Sequence, residues 1–299
     1  MPAIRRIVTG YPEMIFLEAS SAEQIGRSID FMIGNGIELL VISGGDGTVQ
    51  AALNHLLANR AVSDLPLLMI IPGGTTNMTA LDLGFHGHPV KNLKLLTRQF
   101  RHPCPTSLVR RPVLCIRQNT GTLLFGMFFG AGIIADGVEY FQERIKPTGM
   151  TGEFASLVVI MRFLFSLLLR GWKAANMPAS CRIDGGPEHH GHYTIILAST
   201  LNRLLLGVKA HRGTGSGPVH ATFVNDGAGG FWRSLLLLIR GRGNPRADNY
   251  GYLSCNARTL ELFLDGNFVV DGEMFNTQIQ HGPLRITATE PVAFLHAGP

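Results

Sequence analysis

Charge is scarce in this chain: Asp, Glu, Lys and Arg make up only 16% of its 299 residues, against 45% hydrophobic ones. Cysteine is scarcer still. The four thiols, Cys104, Cys115, Cys181 and Cys255, stand far apart with no CxxC pair, which argues against a zinc knuckle and a secreted disulfide scaffold and favours a reducing compartment. No apolar run is long and clean enough to span a bilayer, since "FASLVVIMRFLFSLLLRGW" from Phe154 to Trp172 is broken by Arg162. The N-terminus lacks the apolar core and small-residue cleavage site of a signal peptide, so a cytoplasmic protein is expected. There is no low-complexity segment, no GK[ST] ending of a Walker A loop and no GxGxxG.

What is present is a chain long enough for one large core or two ordinary ones. Its formal net charge of +5 comes mainly from arginine and fits contact with phosphate, a polyanion or an anionic membrane. "AEQIGRSIDFMIGNG" reads as an amphipathic helix with Ile25, Ile29 and Ile33 on one stripe. A continuous apolar strand follows, and a continuous strand predicts burial on both faces, as in a parallel sheet. The strand ends in Gly44-Gly45-Asp46-Gly47-Thr48, after which period 3.6 sets in with Val49, Leu53, Leu56 and Leu57 on one face.

The pattern then repeats: "PLLMII" is a buried strand, "PGGTTN" a glycine turn, and "MTALDLG" a short helix. Two strand–turn–helix units in succession predict a parallel α/β sheet with both turns at its carboxyl edge, where such sheets bind ligands. Glycine-lined turns let a polyphosphate approach the main chain, and a helix N-terminus favours an anion. Gly44, Gly45, Gly47, Thr48, Gly74, Thr75 and Asn77 are therefore candidate phosphate contacts. Thr48 could instead cap the helix, and either turn could be no more than a tight strand-to-helix connection. Asp46 poses a conflict, because it puts a carboxylate where the anion would bind.

After a proline-containing stretch, "HPCPTSLVRRPVL", read as a linker, the texture becomes strand-rich: "TLLFGMFFGAG", "SCRIDGG", "HYTIILAST", "VHATFV", "RTLELFL", "NFVVDGEMF" and "LRITA". Short, punctuated strands predict an antiparallel sandwich or barrel. The expected division is 1–105, a nucleotide-binding α/β domain, and 106–299, a β-rich domain, with the last residues free to return to the first. His189, His190 and His192 in "EHHGHY" could ligate a metal but lack a completing carboxylate or cysteine, so a polar hairpin loop is expected. The segments Phe154–Leu169 and Phe231–Gly243, with Arg170, Lys173, Arg233, Arg240 and Arg242 nearby, read equally as core helices or as a lipid-facing surface with a basic rim.

"GGDGTV", "PGGTTN" some thirty residues on, "FFGAGIIADGVEYF" and the late "VVDGE" together resemble the diacylglycerol kinase and sphingosine kinase catalytic family, whose first domain is similar to NAD kinases. The resemblance implies an N-terminal NAD kinase-like parallel α/β domain and a C-terminal antiparallel β-sandwich that supplies a lipid pocket. It implies ATP and Mg2+, phosphorylation of a lipid hydroxyl (diacylglycerol or a sphingoid base) at a membrane surface, and no nucleic acid. Carried over, Gly44 to Thr48 hold ATP phosphates, Thr75 lies near the nucleotide, and the proton acceptor falls on Glu273. Asp46, Asp271 and Glu273 are the carboxylates expected to serve the reaction.

The chain departs from the family pattern in lacking an early Asn-Pro-glycine loop and in having Gln50-Ala51, Met78 and Gly215-Ser216-Gly217 where acidic or amide residues are common. Metal ligands are therefore left unassigned. A soluble-substrate kinase of the NAD kinase type and a non-catalytic lipid-binding relative remain the alternatives. Oligomeric state is not legible.

Overall fold

Continuous apolar sequence and parallel pairing meet in the first sheet. Strands β1 (Leu39–Gly44) and β2 (Leu67–Pro72) run parallel, with Leu39 opposite Leu67 and Gly44 opposite Pro72. The computed structural model describes residues 2–74, 76–101, 107–144, 176–204, 213–226 and 252–296. It divides into two units, Met1–Arg111 with Pro291–Pro299, and Pro112–Glu290.

In the first unit the helices are α1 (Pro2–Val8), α2 (Ala22–Gly34), α3 (Asp46–Asn59), α4 (Met78–Asp82) and α5 (Pro89–Arg101). The sheet is completed by β3 (Ser107–Arg111) and β15 (Val292–His296), in the order β1-β2-β15-β3. β15 lies parallel to β2 and antiparallel to β3. The stretch expected as a linker is thus partly strand: β3 is followed after Pro112 and Val113 by another strand, β4 (Leu114–Arg117). Strand β2, flanked on both sides, is buried along nearly its whole length. β1 departs from expectation by alternating, because as an edge strand it packs fully at Leu40 and Ile42 only. Val49, Leu53 and Leu56 of α3 are buried with Leu68, Met69, Ile70 and Ile71 of β2, while Leu57 is only half-buried.

The second unit is one eleven-stranded, antiparallel hydrogen-bonded network. Its members are β4, β5 (Leu123–Gly126), β6 (Phe128–Gly132), β7 (Met177–Ile183), β8 (Glu188–Ser199), β9 (Val219–Asn225), β10 (Tyr252–Ala257), β11 (Leu260–Leu264), β12 (Gly266–Val270), β13 (Glu273–Thr277) and β14 (Leu284–Ala288). One helix, α6 (Ile133–Arg144), follows β6. The order is β13-β12-β6-β8-β7-β11-β14-β4-β5, with β9 on the other side of β8 and β10 beyond β9. β8 serves three neighbours because it is long, pairing with β7 along its first part and with β6 and β9 along its second, and its register with β9 shifts between Tyr193 and Ile195, a bulge that bends the strand. Gly132 makes room there: a Cβ on it would lie 2.4 Å from the Thr194 carbonyl oxygen. The core gathers Phe129, Phe223, Phe268, Leu260, Leu262 and Ile286, with Phe129 and Phe268 stacked at 5.4 Å between ring centroids.

Two sequence expectations change here. "TLLFGMFFGAG" is two strands rather than one, β5 pairing with β4 and β6 with β8 and β12. The histidines expected in a hairpin loop belong to β8, with His189 opposite Cys181 and His190 opposite Ser180. The turn comes earlier, at Asp184 and Gly185, both with positive φ. The segments Phe154–Leu169 and Phe231–Gly243, with their flanking cations, lie outside the described residues. Among the described residues no helix is long and apolar enough to cross a membrane.

Candidate active site

The first glycine turn starts its helix two residues earlier than period 3.6 indicates. Gly45, with extended backbone, is the N-cap of α3, and Asp46 is already its first residue. Thr48 is therefore not the cap; its N–H donates to the Gly45 carbonyl at 3.0 Å. The Thr48 side chain folds back over the end of β1, so close that a Cβ on Gly44 would lie 2.5 Å from the Thr48 Cβ.

Asp46 does not occupy the space in front of its own helix. It is buried beside the second glycine turn, where the Thr76 hydroxyl and the backbone N–H groups of Met78, Thr79 and Asn77 pull its pKa down. Those are the opening N–H groups of α4, which a helix leaves without intrahelical partners. Burial raises the Asp46 pKa and outweighs these bonds, which hold the carboxyl down. Its Oδ2 is buried with no hydrogen-bond partner among the described residues. The acid of one motif thus lies beside the opening N–H groups of the other motif's helix.

The second turn is held from within. Asn77, buried and left-handed at φ 49°, accepts from the Gly73 and Gly74 N–H groups at 3.1 and 2.7 Å and donates back to the Gly74 carbonyl at 2.8 Å. Asparagine tolerates this region better than most residues. The polar groups of Gly74 and Asn77, expected to reach across to a nucleotide, are in this structure engaged in the turn itself. Thr75 lies outside the described residues. The turns also touch: a Cβ on Gly74 would come within 2.3 Å of the Gly45 Cα, and one on Gly73 within 3.1 Å of the Gly44 Cα. At these positions glycine serves the packing of turn on turn. Gly45, Gly47 and Thr48 stay half-exposed and give the α3 N-terminus its open side.

In the second unit "DGE" is a two-residue hairpin turn between β12 and β13, with Val270 paired to Glu273 and both Asp271 (φ 48°) and Gly272 (φ 88°) left-handed. Paired positive φ values define the primed turn that Asp-Gly favours. Asp271 is 2% exposed. Its Oδ2 accepts from the Met127 N–H and its Oδ1 from the Phe128 N–H, both at 2.9 Å, while its own N–H donates to the Phe128 carbonyl at 3.0 Å. This carboxylate holds the chain where it leaves β5 for β6. Gly126 lets it in, since a Cβ there would lie 2.7 Å from the Asp271 Oδ2. Glu273, two residues on, is exposed at the start of β13, the terminal strand of the order.

The three carboxylates thus divide. Asp46 and Asp271 are buried, Asp271 as an acceptor for two backbone N–H groups, and Glu273 alone is exposed. Sequence reasoning missed Gly126, Met127 and Phe128. Gly126 carried a signal, because a glycine inside an apolar strand pattern marks a bulge or a close approach. Among the described residues no three His, Cys, Asp or Glu side chains converge as a metal cage. Magnesium seldom needs one, as it binds through one or two carboxylates, waters and substrate phosphates.

Residues 11–108 match the family model of the diacylglycerol kinase catalytic domain. No curated protein sequence matches the chain. A diacylglycerol kinase from Bacillus anthracis str. Sterne has a similar structure, with TM-score 0.62 and 15% identity over 99% of this chain and 89% of that one. Two further proteins of that organism, given the same enzyme name provisionally, are also similar. One has TM-score 0.69 and 18% identity over 97% and 87% of the two chains. The other has TM-score 0.63 and 18% identity over 98% and 89%. At these identities the likeness shows a shared two-part fold.

Proposed function

We propose that this chain, with its diacylglycerol kinase-type catalytic segment, is an ATP-dependent kinase of a lipid hydroxyl, on diacylglycerol or a related amphiphile such as a sphingoid base. One observation carries the reading: Asp46 is buried, and the N-terminus of α3 presents half-exposed Gly45, Gly47 and Thr48, which fits an anion site. The β- and γ-phosphates of ATP fit that chemistry, and Mg2+ would arrive on the phosphate oxygens to neutralise them.

In the reaction the lipid oxygen forms a bond to the γ-phosphorus as the bond to the bridging oxygen breaks and ADP leaves. The hydroxyl proton passes to the Glu273 carboxylate, with Asp271 holding the turn that presents it. Asp46 fixes the two glycine turns against each other and acts as a positioning residue. The partners are a lipid substrate and the inner membrane surface, approached from the cytoplasm, with no nucleic acid.

Purified protein given labelled ATP, Mg2+ and a panel of detergent-dispersed diacylglycerol, sphingosine and NAD tests this. Label should move to a lipid, and Glu273→Gln should lower turnover at least about 100-fold, the scale of losing a general base. Label on NAD would instead identify a soluble-substrate kinase. Vesicle binding by folded protein with no transfer to any acceptor would identify a non-catalytic relative.

A further inference from the structure

Helix α5, "PVKNLKLLTRQFR", contains no acidic residue, and its buried side is Asn92, Leu93, Leu96 and Thr97. Lys91, Lys94, Leu95 and Arg98 are all exposed, and their spacing of three and four residues puts them on one stripe. Leu95, 48% exposed, is thus ringed by three cations. Helix α1, "PAIRRIV", packs against α5 and also has no acid. It adds exposed Arg5 and Arg6, of which Arg5 is paired with Glu18 at 3.2 Å.

We propose that this α1–α5 face docks the first unit on an anionic bilayer, with Lys91, Lys94 and Arg98 among the lipid headgroups and Leu95 at the acyl boundary. The inference deepens the proposed function and rests on it for the choice of a lipid partner. The stripe joins the two things that hold a peripheral surface on an anionic membrane, basic side chains for the headgroups and an exposed apolar contact. The stripe carries no aromatic side chain on which nucleic-acid bases would stack. A lone leucine with a few cations gives reversible, salt-sensitive attachment, which suits an enzyme that must leave its product behind.

Each basic residue near an anionic surface strengthens binding about fivefold, so the three on α5 together contribute about 100-fold. The test is co-sedimentation of the full chain, without ATP, with phosphatidylcholine vesicles and with vesicles containing phosphatidylglycerol. An oligonucleotide arm and a thermal-unfolding control accompany it. The wild-type protein should bind the phosphatidylglycerol vesicles, lose them at high salt and ignore pure phosphatidylcholine. Lys91→Gln/Lys94→Gln/Arg98→Gln should bind about 100-fold more weakly with unchanged unfolding and unchanged phosphoryl transfer to detergent-dispersed lipid. Leu95→Ser should weaken the binding that survives at moderate salt. Equal vesicle binding by the triple variant, equal binding to both vesicle types, or tighter binding to the oligonucleotide would overturn the inference. Failure of the kinase reading shows separately, as no transfer to dispersed lipid whatever the vesicles report.

Discussion

Asp271→Ala and Glu273→Gln, two residues apart, should fail in different ways. Asp271 has both carboxylate oxygens on buried backbone N–H groups at 2.9 Å. Truncation leaves the Met127 and Phe128 donors unsatisfied, at about 1–3 kcal/mol each. It also places alanine at φ 48°, for about 1–2 kcal/mol more. The sum is about 3–8 kcal/mol, comparable with the whole stability of many domains. At about 2–4 °C per kcal/mol for a unit of this size, the second unit's melting temperature should fall by at least about 6 °C. Asp271→Asn keeps one acceptor and a residue at ease in the left-handed region, so its loss should be about half as large. Glu273→Gln touches an exposed side chain and should stay within about 0.5 kcal/mol of wild type while losing turnover. Thermal unfolding by circular dichroism and labelled-ATP transfer on the same preparations separate the two. If Asp271→Ala melted with the wild type, the clamp would not exist; if Glu273→Gln melted early and Asp271→Asn alone lost turnover, the roles would be reversed.

The turn-on-turn contact predicts that Gly74→Ala destabilises the first unit, because the obstacle 2.3 Å away is the Gly45 backbone rather than a movable side chain. Overpacking of this kind costs about 1–3 kcal/mol or more, and a melt with no shift would show that the turns are not in contact. Asp46 carries a pH signature. Its folded pKa lies above the ordinary 3.8, so between the two the folded state binds more protons than the unfolded one. Its contribution to stability is most favourable below 3.8 and is lost as pH rises through the folded pKa. The stability of wild type relative to Asp46→Asn should therefore improve as pH falls through that window; the opposite slope in paired denaturant titrations would mean that the carboxylate is stabilised as the anion.

Much of the first unit was legible because its signals are local. The amphipathic stripe of α2, the apolar run of β2, the period of α3 and the paired glycine turns each lie within a dozen or so residues, and each is found where its pattern places it. The Asp-Gly turn of the second unit was equally local. Strands β3 and β15 were not legible as neighbours, since more than half of the sequence lies between them and β3 shares its residues with a proline-flanked stretch that reads as linker. β10 gave no signal either, its "YLSCNA" alternating too weakly for a strand buried by its partner β9. The break between β5 and β6 is set by a carboxylate about 144 residues away, so no window of sequence contains its cause.

The three acids come from motifs that read alike in sequence, yet Asp46 and Asp271 are buried and Glu273 is exposed. In each motif a carboxylate stands beside glycines, a combination that fits a ligand site and fits equally well a backbone crossing that needs an anion to satisfy stranded N–H groups. What decides is where those donors lie. For Asp46 they are the first N–H groups of a five-residue helix, too short to secure its own start; for Asp271 they are two consecutive N–H groups at a strand switch. Both sets of donors come from chain segments outside the acid's own motif. Asp271 has both oxygens on such donors and Asp46 keeps a buried oxygen with no hydrogen-bond partner among the described residues, so exposed Glu273 is the acid we propose as proton acceptor.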